Sequence, residues 1–186
     1  MNDYEAFIAQ KDVKVKPSGF CVHPDDLHEA LFPFQRAIVH RAIAQGKFCN
    51  GADTGLGKSL MSMAWADMVS RKTNRPVLIL APLAVSHQFV REAQKFGIPG
   101  LRFVSDSSEI LSSFYGLYTT NYEKLHRFNP AVFGGVVLDE GSILKNFDGK
   151  TSKHILESFA DPPFKLSASA TFAPNDIDEL GTQSQF

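Results

Sequence analysis

Cysteine is scarce in this sequence, and its scarcity excludes two ways of stabilising a small fold. Among 186 residues there are two cysteines, Cys21 and Cys49. A disulfide framework or a zinc centre needs more, so we expect neither. The low cysteine use favours a reducing compartment and predicts a cytoplasmic location. Cys49 itself falls in a short segment that we expect to be a buried strand.

The sequence also lacks an excess of positive charge, a long apolar run and a secretion signal. Lys and Arg number 19 against 20 acidic residues, a formal net charge of −1, so contact with nucleic acid would have to be local. The longest apolar run, around residues 76–85, is far short of the ~20 residues that span a bilayer. Residues 1–5 lack the basic start of a signal peptide. We therefore expect neither a membrane protein nor a secreted one.

What is present is an ordinary globular composition, with apolar segments that alternate between strand and helix spacing. Hydrophobic residues make up 44% and charged residues 21%, and the length suits about one domain. No internal repeat is visible. The alternation predicts an α/β fold, a parallel sheet with helices on both faces in three layers. Residues 1–30 are expected to be an N-terminal extension of a domain at 31–186, and the lysines in 11–16 fit an exposed edge strand or a phosphate contact.

A glycine-rich segment between a predicted strand at 47–50 and a predicted helix gives the strongest chemical signal. It runs from Ala52 to Ser59 and reads ADTGLGKS. Glycine lets main-chain N–H groups converge on a phosphate, and the helix N-terminus adds donors and positive dipole. The lysine can reach terminal phosphates and the serine hydroxyl can ligate Mg²⁺. The residues expected to bind nucleotide are Thr54, Gly55, Leu56, Gly57, Lys58 and Ser59. An ordinary glycine-rich turn is the alternative, and Ala52 stands where the usual motif has glycine.

The helix before this loop carries a second candidate. A helix is predicted from about Leu31 to Gly46, with Phe34 on its buried face. Gln35 lies 23 residues before Lys58, and its amide offers the donor and acceptor that the adenine edge requires. A solvated glutamine in a first helical turn is the alternative.

Further buried strands are predicted downstream, one of which delivers two acids. The run 76–81 precedes a helix that ends at Gly97, and shorter strands are expected at 101–104 and 114–119. The apolar segment 134–138 leads directly into Asp139 and Glu140. Carboxylates at the carboxyl end of a buried strand suit metal binding and activation of water in phosphoanhydride hydrolysis. A last strand, 164–168, leads to Ser169 and Thr171, which we expect to emerge beside those carboxylates, although plain edge-strand chemistry is the alternative.

Six stretches in order resemble the first RecA-like lobe of superfamily 2 DEAD/DEAH-like helicases, in the Swi/Snf-like group of DNA translocases. The nearest likeness is to phage-encoded helicase-like proteins, which would place the chain in the host cytoplasm. The stretches span about residue 31 to the end of the sequence. They are residues 31–35, 53–59, 80–85, 119–123, 139–146 and 169–175.

The resemblance implies a role for each matching residue. Gln35 would read adenine, Lys58 and Ser59 would hold phosphates and Mg²⁺, and Asp139 would bind the metal while Glu140 activates water. Pro82, Leu83, Thr120 and Asn121 would lie against the phosphate backbone of DNA, duplex or branched. Ser142, Ser169 and Thr171 would couple the nucleotide site to that track. The implied ligands are ATP and Mg²⁺, and the implied reaction is DNA-dependent ATP hydrolysis that drives movement.

The sequence departs from the family pattern in ways that leave two other functions open. Ser142 stands where many relatives have His, which shortens the reach toward Ser169 and Thr171 and puts that coupling in doubt. Phe172 stands where relatives have Pro, so the turn after the last strand is expected to differ. The second RecA-like lobe, with the arginine that completes the ATP site, is not in this sequence and is expected in the parent chain, so this lobe alone should be nearly inactive. The alternatives are a free-standing nucleotide-binding regulatory or docking module, and a nuclease-associated translocase subunit.

Overall fold

The computed structural model describes residues 16–111, 114–140, 155, 157–159 and 162–170, and its centre is a parallel sheet. The described strands form one six-stranded sheet in the order β1-β6-β5-β2-β4-β3, and every pairing in it is parallel. The predicted α/β fold is therefore confirmed. The strands are β1 (Lys47–Asn50), β2 (Val77–Ala81), β3 (Arg102–Phe103), β4 (Leu117–Asn121), β5 (Gly135–Asp139) and β6 (Phe164–Ala168).

Three α-helices follow the sequence signals for helix ends closely. They are α1 (Pro33–Gln45), α2 (Lys58–Thr73) and α3 (Leu83–Phe96). Gly46 ends α1 with φ of 81° and Gly97 ends α3 with φ of 70°, a left-handed region in which glycine has no Cβ to clash. None of the helices in the described part of the chain combines the length and hydropathy that crossing a bilayer requires.

Both faces of the sheet are covered, but by different kinds of structure. On one face, Ile79 and Val137 pack with buried residues of all three helices, including Trp65 of α2. On the other, Leu80 and Leu138 pack against the 3-10 segments Tyr122–Arg127 and Pro130–Val132 and against two buried side chains farther along, Ile155 and Phe159. Because β2 is covered on both sides, all five of its residues are buried and apolar.

Three details of the sequence reading are wrong, each for a geometric reason. Cys49 is exposed, because β1 lies at the edge of the described sheet. Phe34 is 45% exposed while Gln35 is buried, since the inward positions of α1 are 35, 39, 42 and 43, one residue further round the helix. The strand expected at 114–119 begins only at Leu117.

Residues 16–30 pack onto the rest of the lobe. Leu27 is buried in the same core as α1 and α2. His28 Nε2 donates to the carbonyl of Phe96 at 2.9 Å, and Arg36 Nη1 donates to that of Pro24 at 2.6 Å. The boundary predicted at residue 30 stays a prediction. It was placed where the first matching stretch, 31–35, begins, and it does not coincide with a break in packing.

Candidate nucleotide-binding site

The predicted site residues collect at the carboxyl edge of the sheet, because parallel strands all end on the same side. The glycine-rich segment 52–59, which we call the phosphate loop after its predicted role, follows β1, while Asp139 ends β5 and Ser169 follows β6. These three strands are neighbours in the order β1-β6-β5. Main-chain pairing continues past the last strand, where Ser169 N donates to Asn50 O at 3.2 Å.

The phosphate loop is shaped by its own backbone and by one buried side chain. Asn50, 2% exposed, accepts a hydrogen bond from Ala52 N at 3.1 Å and so fixes the exit from β1. Gly55 and Gly57 have φ of 82° and 76°, which an L side chain rarely adopts. Ala52 packs against the hydrophobic core, which accounts for a methyl group where the usual motif has glycine.

Lys58 folds back over this loop. Its Nζ donates to the carbonyl oxygens of Ala52 at 2.9 Å and Asp53 at 3.1 Å. The ammonium group is thereby held against the loop that precedes α2, and Lys58 lines the cavity described next. A cation in that position suits the terminal phosphates of a nucleotide.

A cavity of about 510 Å³ opens beside the loop, a volume in the range of small-ligand sites. Its lining includes Thr54, Gly55, Gly57, Lys58 and Ser59 of the predicted set, and Gln35 from α1. Leu56 does not line it, and its side chain is 42% exposed. The lining also includes residues that the sequence did not single out, namely Ala30, Phe32, Leu60, Glu92, Lys95 and Phe96.

Gln35 joins α1 to the phosphate loop. Its Oε1 accepts from Phe32 N at 2.9 Å, and its Nε2 donates to Leu56 O at 2.8 Å. A Cβ at Gly57 would lie 2.4 Å from Nε2, so glycine is required for this contact. The amide keeps one more N–H and one more lone pair, which is the pair of groups that adenine reading needs. Adenine reading by Gln35 stays a prediction.

The charges of Glu140 and Lys58 both affect the pKa of Asp139. Burial, and then the charge of Glu140, raise the pKa of Asp139 to about 6, while the charge of Lys58 opposes the rise. Glu140 has φ of 57°, a left-handed conformation that is uncommon outside glycine. Its Oε1 accepts a hydrogen bond from Ser169 Oγ at 3.1 Å, so Ser169 does emerge beside the carboxylates as expected. Ser142 and Thr171, the other two predicted coupling residues, lie outside the described residues.

The four residues predicted to touch DNA lie together, but differ in what they expose. Pro82 and Leu83 follow β2, while Thr120 and Asn121 end the neighbouring β4; we call these four residues the rim. Leu83 is 50% exposed. Thr120 is buried and its hydroxyl donates to Val104 O at 2.8 Å, while Asn121 Nδ2 donates to the carboxylate of Glu123. Pro82 and Leu83 are therefore accessible to a ligand, whereas the Thr120 side chain is buried and hydrogen-bonded within the protein. DNA contact by the rim stays a prediction.

Comparison with known proteins shows which solved structures this fold resembles. The SWI2/SNF2 ATPase core of Sulfolobus solfataricus, solved in complex with dsDNA, is 26% identical with a TM-score of 0.71, covering 88% of this chain and 37% of that one. The UvsW helicase of bacteriophage T4 shares the fold at 13% identity and a TM-score of 0.68, covering 100% of this chain and 66% of that one. No protein-family model matches.

A curated relative agrees with the structural neighbours. ATP-dependent helicase fft3 of Schizosaccharomyces pombe is 26% identical over an alignment of 148 residues. In sequence and in fold, the chain is similar to SWI2/SNF2 ATPase cores and to an ATP-dependent helicase. The alignment covers 69% of the lobe and 16% of fft3, so the lobe spans about a sixth of that relative's length.

One residue contacts the main chain of the two acids although it was not predicted to be a site residue. The Tyr122 hydroxyl donates to the carbonyl of Asp139. Burial, and then the charges of Asp139, Glu140 and Glu123, raise the pKa of this phenol well above its usual value, so it remains a donor. Two sequence signals were available, since Tyr122 lies in the matching stretch 119–123 and directly follows a strand that ends at the same edge of the sheet.

The raised pKa of Asp139 predicts that its ionised carboxylate lowers the free energy of unfolding. Its ordinary pKa is 3.8 and its folded value is about 6, so the ionised form destabilises the fold above that value and the penalty disappears as pH falls toward 4. Asp139→Asn should therefore raise the free energy of unfolding by about 1–3 kcal/mol at pH 8, and by much less at pH 4. Urea unfolding at both values measures the difference.

Asp106→Asn is the matched control for that measurement. Hydrogen bonds from Ser108 lower the pKa of the exposed Asp106 carboxyl, so its replacement should not stabilise the lobe at pH 8. A gain in Asp139→Asn that is the same at both pH values, or absent at pH 8, would contradict the assignment of a raised pKa to Asp139.

Proposed function

We propose that this chain is the ATP-binding lobe of an ATP-dependent DNA translocase or helicase. The observation that carries the proposal is the convergence of the Lys58 loop and the Asp139–Glu140 pair at one edge, close enough for the charge of Lys58 to act on Asp139. A RecA-like fold related to helicase cores supports the same assignment.

The donor set of this edge fits a nucleotide with Mg²⁺. Magnesium takes one or two carboxylates together with substrate phosphates and waters, not a cage made of protein ligands alone. Among the described residues no three His, Cys, Asp or Glu side chains form such a cage. Ser59, which lines the cavity, offers a hydroxyl, and Asp139, which ends β5 and does not line the cavity, offers a carboxylate. When bound, ATP with Mg²⁺ would supply the scissile phosphoanhydride and the charge that neutralises its phosphates.

The chain's own residues then divide the work of hydrolysis. Lys58 and the main-chain N–H groups after Gly55 would bind the phosphates, and Ser59 and Asp139 would hold the metal. Glu140 orients the attacking water and accepts its proton, while the hydroxyl of Ser169 holds the Glu140 carboxylate in place. Gln35 ties base recognition to the loop through Leu56 O.

Binding to DNA belongs to the proposal because of the rim. The related Sulfolobus core was solved with dsDNA. In this chain Pro82 and Leu83 are exposed at the N-terminus of α3, where unpaired N–H groups and the helix dipole favour a phosphate. A site of this kind recognises backbone and not base sequence.

We predict weak DNA binding that falls steeply with salt. With about two to four phosphate contacts, affinity should drop about 10- to 150-fold between 50 and 200 mM salt, measured by anisotropy with a labelled duplex. Leu83→Glu should weaken binding further, since it sets a negative charge against the phosphates. The same charge favours the N-terminus of α3, so folding is not the cause.

Leu111→Glu provides the control for a charge at an exposed leucine. Leu111 is 61% exposed in the loop before β4, away from the rim. Equal losses in Leu83→Glu and Leu111→Glu, or an affinity that does not respond to salt, would reject the rim as the DNA site.

A further inference from the structure

Tyr122 spans the central strands at the carboxyl edge of the sheet. It follows β4 directly, and its hydroxyl donates to the carbonyl of Asp139 at the end of β5, with Leu80 O of β2 at 3.4 Å. Since β2 lies between β4 and β5, one side chain bridges two inter-strand gaps, about 10 Å. Its ring packs on the core that contains Leu80 and Leu138, so the body of the side chain is held while its hydroxyl reaches the edge.

The bond from Tyr122 fixes the peptide that sets Glu140. The carbonyl of Asp139 and the N–H of Glu140 belong to one planar unit, so holding that oxygen restricts rotation about the turn. Glu140 needs this support because its φ of 57° lies in the left-handed region. Its side chain is held separately by Ser169 Oγ. The main chain and the carboxylate of the catalytic acid are thus fixed from opposite sides.

The other end of this connection is the rim. Ser86 of α3 is fully buried, and its hydroxyl lies 3.1 Å from Thr120 O and 3.2 Å from both Ala81 O and Pro82 O. It therefore joins the N-terminus of α3 to the ends of β2 and β4. Asn121, the last rim residue, is bonded covalently to Tyr122. A shift of the rim must move Tyr122 with it.

We propose that Tyr122 is a positioning residue that transmits DNA contact at the rim to the main chain of Asp139 and Glu140. This inference rests on the proposed function, because it requires DNA at the rim and nucleotide at the acids. It assigns to a single hydroxyl a share of the coupling free energy between the two sites. Such coupling must be reciprocal, so DNA should change nucleotide affinity by the same factor as nucleotide changes DNA affinity.

Tyr122→Phe tests the inference because it removes only the hydroxyl and keeps the ring in the core. The Kd of a fluorescent ATP analogue with Mg²⁺ is measured with and without saturating duplex DNA. In the unsubstituted chain we expect DNA to change the Kd of the ATP analogue by at least about 5-fold. In Tyr122→Phe that factor should fall toward 1, by at least about 2-fold, the lower end of the effect of one hydrogen bond, while each ligand alone still binds.

Tyr118→Phe is the matched control. Tyr118 is a buried β4 tyrosine whose hydroxyl accepts from Leu111 N at 3.3 Å, away from the acids, and its loss should leave the coupling unchanged. Hydrogen exchange of the Glu140 amide gives a second readout, which should quicken in Tyr122→Phe alone.

The outcomes separate this inference from the function on which it rests. The role of Tyr122 is overturned if Tyr122→Phe leaves both the coupling between DNA and nucleotide and the hydrogen exchange of the Glu140 amide unchanged. It is also overturned if the unsubstituted chain binds both ligands without coupling. If the unsubstituted chain fails to bind ATP or DNA, the proposed function itself is overturned.

Discussion

The chain on its own is expected to hydrolyse ATP about 10³ to 10⁵ times more slowly than an ATPase whose site includes an inserted arginine. In the proposed site Lys58, Asp139 and Glu140 would hold phosphates, metal and water, but charge that develops on the transferred phosphoryl group needs a further cation. The cations that line the cavity among the described residues are Lys58 and Lys95, and no arginine lines it there. The measurement is a steady-state assay at saturating MgATP, with and without duplex DNA.

Two variants make that small rate interpretable. Glu140→Gln keeps the shape of the acid but cannot accept a proton, and therefore gives the blank. Glu29→Gln changes an exposed acid near α1 and should leave the rate alone. A fast, DNA-stimulated turnover that disappears only in Glu140→Gln would show that these residues suffice for catalysis, and the requirement for another lobe would be wrong.

Replacing Lys58 should have the largest effect on binding. Charge-assisted hydrogen bonds contribute about 1.5–3 kcal/mol each, so Lys58→Ala should weaken MgATP binding by about 10- to 100-fold in calorimetry. Its Nζ bonds only to Ala52 O and Asp53 O among the contacts seen, so its loss should leave the core intact. Lys47→Ala, an exposed lysine at the start of β1, is the control.

The same calorimetry separates phosphate binding from base reading. Equal affinity of Lys58→Ala and Lys47→Ala for MgATP would reject the loop as the phosphate site. Gln35→Ala, titrated with ATP and with GTP, should lose preference between the two; an unchanged preference would leave Gln35 only as the tie to Leu56 O.

The fold follows from the sequence because its signals are local and strong. The continuous apolar run of β2 indicates a buried strand, and the glycines after α1 and α3 mark the ends of those helices. The predictions failed where neighbours decide. Cys49 is exposed because β1 has a partner on one side only among the described strands. Gln35 takes the place expected of Phe34 because its amide has two main-chain partners. Neither pairing can be seen in spacing alone.

The site was predictable in composition but not in its connections. Parallel strands must bring Lys58, Asp139 and Ser169 to one edge, so their meeting follows from topology. The left-handed turn at Glu140, the burial of Thr120 and the reach of Tyr122 depend on contacts between distant segments. Those are tertiary facts without a local sequence signature.

The pairing of β1 also sets the time at which this protein can bind its nucleotide during synthesis. Among the described strands, β1 pairs only with β6, which is made last. At about 5–20 residues per second, a ribosome needs roughly 6–24 s to go from one to the other. Throughout that interval the strand that leads into the phosphate loop has no partner in the sheet. We therefore expect that a nascent chain cannot use ATP to guide its early folding, and that nucleotide binding begins only after β6 has been made.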